Sequence, residues 1–419
     1  MIFMCFTFAH IADVHLDCFR EPELKNLSTS AFILAIDKCI EKKVDFVLIA
    51  GDLFNTSMPD VSILQEAVKQ FNRLRKNNIP VYLIAGSHDM SNSQKTFLDV
   101  LAEAELFTNV VKGESLDDKL KLKFTTDKKT GAKITGILGK KGALDIEYYR
   151  ALNRESLENE GGYKIFMFHC GIEEYKPEFL KHTSFLPLSL LPKNMNYYAG
   201  GHIHVVFVRD EPGYGKIVFP GPTYPCNFKE LETLKMGSFC IVSVDDFGVS
   251  RTEKQDIAPV EIFTKKFNAN GKTAHILEDE ILLWSKTADV KNKVVLLRIL
   301  GTLKEGAPTD VSFTDAYSVL INNGAVIVKR NTAKLISREF EEIKVDVSGE
   351  LKEVEARIIK EHIGKAPESI ADEEGLVFSI LDALDSDKEE GETNSVFEAR
   401  MKKAAVDVFG LKGIIDEDS

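Results

Sequence analysis

The chain has 419 residues, 44% of them hydrophobic and 28% charged, with a formal net charge of −12. That length favours two or three domains, and no run of about 18 uninterrupted apolar residues is present that would predict a transmembrane helix. The six cysteines (Cys5, Cys18, Cys39, Cys170, Cys226 and Cys240) show no CxxC spacing, which argues against a zinc knuckle and a disulfide framework and predicts buried free thiols.

The apolar start, residues 1–9, lacks a basic leading region and a small-residue cleavage site, and it runs directly into Asp13 and His15. It reads as a strand over 3–10 rather than a signal peptide, which places the protein in the cytoplasm. A helix over 28–43 follows, with Phe32, Ile36, Cys39 and Ile40 at helical spacing. The stretch 45–50, apolar throughout after Asp45, predicts a strand covered on both faces. The next helix spans 60–77 and ends before Pro80, and 81–85 is a third buried strand. The polar stretch 112–132 reads as a hairpin or excursion on the surface, with a turn at 125–131. Strands are expected at 164–168, 197–200, 205–208, 216–219 and 238–244, with Gly and Pro turns between them.

After residue 256 the pattern changes. A strand at 294–300, a helix at 312–322 and a strand at 325–330 suit a small second α/β domain over 257–345. From 346 to 419 the chain reads as charged helices at 351–363, 369–384 and 395–409, with an acidic linker at 385–393. This tail holds 20 acidic and 9 basic residues, a net of −11, so residues 1–345 are close to neutral. A near-neutral body that carries divalent metals can still bind a phosphate backbone.

The chemistry is concentrated at the ends of the predicted strands. Asp13 and His15 follow the first strand, Gly51-Asp52 the second and Gly86-Ser87-His88-Asp89 the third. His169 follows 164–168, and Gly201-His202-Ile203-His204 follows 197–200. In an open α/β sheet, ligands bind at that edge. Mixed imidazole and carboxylate donors suit manganese, iron or zinc better than magnesium alone. Their number is enough for two ions that share one carboxylate.

This ordered set resembles the calcineurin-like metallophosphoesterase superfamily over roughly residues 8–245. His15-Leu16-Asp17, Gly51-Asp52-Leu53-Phe54 and Phe219-Pro220-Gly221-Pro222 are similar to motifs of the SbcD and meiotic-recombination-eleven DNA repair nucleases. The resemblance implies an α/β fold: a four-layer α/β/β/α sandwich over 1–256, a small α/β capping domain over 257–345 and a helical C-terminal appendage. It implies that Asp13, His15, Asp52 and His204 bind a first metal, and that bridging Asp52, His169 and His202 bind a second. The family's further ligand, an asparagine, is replaced here by Ser87, a shorter and weaker donor. Asn55 stands where some members carry a second catalytic histidine, and that role does not carry over. His88 is left to stabilise the transition state or protonate the leaving 3′ oxygen, with Asp89 orienting its imidazole.

The implied activity is a manganese-dependent 3′–5′ DNA exonuclease and endonuclease in double-strand-break repair. Its implied partners are DNA, a coiled-coil ATPase of the SbcC or radiation-sensitivity-fifty type, and a second copy of the chain. The acidic tail would dock on the ATPase through Leu376, Phe378, Ile380, Leu381, Phe397 and Val408. Lys119, Lys121, Lys123, Lys128, Lys129 and Lys133 make a basic stretch, with a weaker one at Lys265, Lys266 and Lys272. Charge alone favours a solvated surface for both. A small-molecule phosphodiesterase on the same fold, or a scaffold with a weakened second metal site, are the alternatives. Gly-Ser-His-Asp and Leu53-Phe54-Asn55 differ from the protein-phosphatase pattern. Cys18 and Cys170, near the motifs, are candidates for oxidation.

Overall fold

The computed structural model describes residues 5–91, 96–116, 119–140, 144–180, 183–338, 373–384 and 394–408. The first unit, Met1–Arg338, opens with β1 (Phe6–Ile11), α1 (Pro22–Glu41), β2 (Phe46–Ala50), α2 (Val61–Lys76), β3 (Val81–Ile84), α3 (Phe97–Glu103) and β4 (Thr108–Asn109). It continues with β5 (Gly113–Leu116), β6 (Lys119–Leu122), β7 (Thr125–Thr126), β8 (Lys133–Gly136), α4 (Ile146–Ala151), α5 (Arg154–Glu158) and β9 (Lys164–Phe168). Next come β10 (Tyr197–Gly200), β11 (Val206–Glu211), β12 (Gly215–Pro220), α6 (Phe228–Thr233), β13 (Gly237–Val244) and β14 (Ser250–Ile257). The unit closes with β15 (Glu261–Asn268), α7 (Ala274–Thr287), β16 (Lys293–Leu303), α8 (Thr314–Asn322) and β17 (Ile327–Ser337).

Two six-stranded sheets stack face to face. The first has the order β14-β13-β1-β2-β3-β4, with β1 to β4 parallel. The second has the order β11-β12-β10-β9-β8-β7, with its four inner strands parallel. Alternation along each strand explains the continuous apolar runs. Phe46, Leu48 and Ala50 of β2 meet Ile165 and Met167 of β9 between the sheets. Val47 and Ile49 face the opposite way, toward Phe32 and Ile36 of α1 and Phe71 of α2. Phe166 and Phe168 face outward toward Tyr149 of α4 and Leu157 of α5. The result is the expected α/β/β/α layering. All the parallel strands deliver their C-terminal ends to one rim. The β13–β14 turn lies at the other rim, because Val244 pairs with Phe6 at the start of β1.

A third, parallel sheet, β15-β16-β17, has a core of its own with α7 and α8. On its other face Ile262, Val294 and Leu296 join the core around α1. The second unit, Glu339–Ser419, shows α9 (Glu373–Leu384) and α10 (Asn394–Val408), which pack on each other. Phe378, Leu381 and Val396 are exposed there. The expected helix at 351–363 and linker at 385–393 lie outside the described residues. Among the described residues no helix is long and apolar enough to cross a membrane.

Two expectations change. Helix α1 begins at Pro22, not residue 28, because proline's fixed φ and missing N–H suit the first helical turn. Residues 112–132 form the expected hairpin at β5–β6, but they are not wholly a surface feature: β7 pairs with β8 and joins the second sheet, and Asp127 and Ala132 are buried. In addition, α3, β8, β14, β15 and α7 are not predicted by apolar patterning.

Phe8 is fully buried, stacks on Phe46 at 5.0 Å and meets Tyr197 of the other sheet edge-on at 5.1 Å. Phe8→Ala is expected to cost about 3–5 kcal/mol of stability. An unchanged urea midpoint would rule out a cooperative core between the sheets.

Candidate metal centre

The five turns predicted to carry donors converge at the shared rim, three from the first sheet and two from the second. Their backbones are unusual. Asp13 (φ 51°), His15 (φ 44°), Asp52 (φ 51°), His202 (φ 93°) and His204 (φ 46°) all adopt left-handed conformations. Each costs a non-glycine residue about 1–3 kcal/mol and persists only where its surroundings impose it. The Asp13 and His15 N–H groups bond to Gly51 and Asp52 carbonyls at 3.2 and 2.9 Å, locking two turns together. Glycine is required where the turns touch. A β-carbon at Gly51 would strike the His169 ring, and one at Gly86 the Asp52 carboxylate.

The donors form overlapping trios: Asp13, His15 and His204; Asp52, His169 and His202; and His15, Asp52 and His88. His15 Nε2 lies 3.0 Å from His204 Nε2 and 3.5 Å from Asp52 Oδ2. His169 Nε2 lies 3.0 Å from the same Asp52 oxygen. Asp52 Oδ1 accepts from the His88 N–H at 2.7 Å, and Asp13 Oδ1 from the His202 N–H at 2.8 Å. His169 Nδ1 donates to the Ala50 carbonyl at 2.8 Å. That bond turns its Nε2 toward Asp52, and among the described residues neither this Nε2 nor buried His15 Nδ1 has a hydrogen bond of good geometry. An imidazole nitrogen close against a carboxylate and two imidazole nitrogens facing each other are arrangements that a cation between them satisfies. The donor set therefore fits divalent ions.

Electrostatics agree. Burial pushes Asp52 up, but the His169 and His15 imidazoles overcome this and hold it well below the usual carboxylate range. Burial also opposes charge on His169, but Asp52 and then Asp13 outweigh it and raise the imidazole to about 10. His204 rises to about 9 despite burial, through its bond to Glu230 and the charge of Asp13. Burial drives His15 down to about 3 and raises Asp13. Without metal, the site balances its carboxylates with imidazolium protons.

One predicted role is corrected. Asp89 does not orient His88. Its carboxylate accepts backbone N–H groups of Gly86 at 2.9 Å, Leu53 at 3.2 Å and Phe54 at 2.9 Å, bracing two turns. Burial, then repulsion from Asp52, lifts it to about 7. His88 is held instead through Nδ1, 2.8 Å from the carbonyl of Asn55. Ser87 is buried between Gly86 and His88.

Sequence reasoning missed several neighbours. A cavity of about 250 Å³ adjoins His169 and His202 and is lined by Lys140, Asp145 and Phe185. Glu230 Oε1 lies 3.1 Å from His204 Nδ1. The oxidation candidates diverge: Cys170 is buried and its thiol pushed far up by desolvation, which disfavours the reactive thiolate, whereas Cys18 is partly exposed. Lys123, Lys129 and Lys133 pair with Glu114, Asp45 and Glu160, so half of the first basic stretch is neutralised.

A family model for calcineurin-like phosphoesterases matches residues 6–206. The chain is 31% identical over 333 residues to the DNA double-strand break repair protein Mre11 of Methanocaldococcus jannaschii, covering 76% of this chain and 82% of that one. It is 29% identical over 231 residues to Mre11 of Archaeoglobus fulgidus, covering 53% and 51%. The chain thus spans about half the length of that relative. It is 30% identical over 239 residues to an uncharacterized metallophosphoesterase, YhaO, of Bacillus subtilis, covering 54% of each.

With His169 and His204 raised to about 10 and 9, both carry protons at pH 7, and metal must displace them. Manganese binding is therefore expected to release protons at pH 7 and to tighten as pH rises toward 9. Calorimetry in buffers of different ionisation enthalpy measures this. A buffer-independent heat would refute the charge balance.

Proposed function

This chain belongs to the Mre11 family within the calcineurin-like phosphoesterases, and we propose that it is a manganese-dependent DNA nuclease, a 3′–5′ exonuclease and endonuclease. The observation that carries the reading is Asp52, a buried carboxylate shared between two donor trios. In this reading Asp13, His15, Asp52 and His204 hold one ion. Asp52, His169 and His202 hold the other, with Ser87 as a weak fourth donor. Bound divalent ions activate water and neutralise phosphate oxygens.

The chain's own residues do the rest. Asn55 fixes the imidazole of His88 through Nδ1, which leaves Nε2 to carry a proton to the leaving 3′ oxygen. Asp89 keeps the turns that carry Asp52 and His88 at a fixed separation. His169, anchored on the Ala50 carbonyl, presents only Nε2 to an ion. Residues 1–256 form the nuclease domain, 257–345 the cap and 346–419 the segment that docks an SbcC-type coiled-coil ATPase. DNA is the substrate, and the chain works as a dimer.

Protein supplied with MnCl2 is expected to shorten duplex DNA from labelled 3′ ends. His88→Ala should lower that rate about 10²- to 10⁴-fold while manganese binding is retained. Cleavage of a generic phosphodiester with DNA ends and hairpins left intact would reject the nuclease reading.

The alternative of a weakly active scaffold rests on Ser87. Manganese titration decides it. Two tight ions in the wild type show that serine suffices, whereas one ion in the wild type and two in Ser87→Asn show an impaired second site.

A further inference from the structure

The short helix α6 faces two ways. Toward the metal centre, Glu230 Oε1 lies 3.1 Å from His204 Nδ1. The carboxylate is itself held by the Cys226 N–H at 2.8 Å and the Asn227 amide at 2.5 Å. His169 and His88 offer Nδ1 to main-chain carbonyls, so among these three rings His204 alone rests on a full negative charge. A carboxylate behind a ligating imidazole fixes its tautomer and strengthens it as a donor.

Away from the centre, the same helix grips the third sheet. Arg298 of β16 binds Glu232 bidentately, Nε to Oε1 at 2.8 Å and a terminal nitrogen to Oε2 at 2.6 Å. Its guanidinium also covers the Phe228 ring at 5.0 Å. Both partners are largely shielded from water, with side chains 16% and 14% exposed. Arg298 stands where the β16–β17 register shifts, a device that re-aims a side chain. Between the two grips, Leu231 is fully buried in the main core. A displacement of the sheet at Arg298 must therefore turn or carry α6, and Glu230 with it.

We propose that Glu230 is a positioning residue for His204, and that α6 transmits the placement of the third sheet to the first metal site. The proposal rests on the metal assignment above. It makes the affinity for the first ion depend on Arg298, which touches none of the donors.

The test is calorimetric titration of the full chain with MnCl2, alongside melting of the metal-free protein. Glu230→Gln keeps the shape of the side chain and removes its charge. It is expected to weaken the His204 site about 10- to 100-fold, with the metal-free protein still melting cooperatively although its ion pair with His204 is lost. Arg298→Lys keeps the charge but loses the bidentate fork, and should weaken the same site about threefold or more. The double variant should be no weaker than Glu230→Gln alone, because both act through one helix. Unchanged affinity in either single variant, or losses that multiply in the double variant, would overturn the proposal. No manganese binding by the wild type would overturn the metal assignment itself.

Discussion

The structure turns on one buried anion. Asp52 ends a strand of the first sheet, and His169, which faces it, ends a strand of the second. The pair spans the sandwich at its rim, so the sheets can stack closely only if this carboxylate is neutralised. Leaving such a charge unpaired in the interior would cost several kcal/mol. His15, His169 and the His88 N–H surround it. The aromatic packing of Phe8, Phe46 and Tyr197, where β2 and β10 begin, holds the sheets together toward the opposite ends of the strands.

The cost of building that cluster is visible in the backbone. Five donor residues occupy left-handed conformations, and two glycines sit where any side chain would fill the centre. Local preference opposes this geometry, so the sheets and Asp89 must impose it. Asp89 does so without touching a donor side chain. By accepting three main-chain N–H groups it joins the turn after β2 to the turn after β3. Strain of this kind is stored where function needs a fixed constellation.

Much of this was legible in the sequence. Strands buried on both faces write themselves as unbroken apolar runs, and 46–50 and 165–168 could be read that way. The donors stood out because charged residues directly follow those runs. Other parts were hidden for physical reasons. Strand β14 is an edge with only Ser250 and Ile257 buried, so its polar sequence carries no alternation to detect. Helix α7 exposes Ile276 and Leu283, which blurs its apolar stripe. The partner of His88 is a main-chain carbonyl, and no side-chain pattern encodes a carbonyl. Adjacency suggested Asp89 in its place, but a neighbour in sequence on a tight turn need not face its neighbour. Glu230 lies 26 residues from His204, and only the return of the chain through β11 and β12 brings them together.

The opposed rims divide the labour of the sandwich. Every donor-bearing turn lies at one end of the strands, while the β13–β14 turn lies at the other, with Phe247 83% exposed. Hydrogen bonds from the Phe247 and Val249 N–H groups to Asp245 close that turn within itself. The chain there can lengthen, accept a fused domain or drift in composition without disturbing the donors, since a doubled loop adds only about 0.6 kcal/mol of closure entropy. The site and the tolerance to change are separated by the length of a strand.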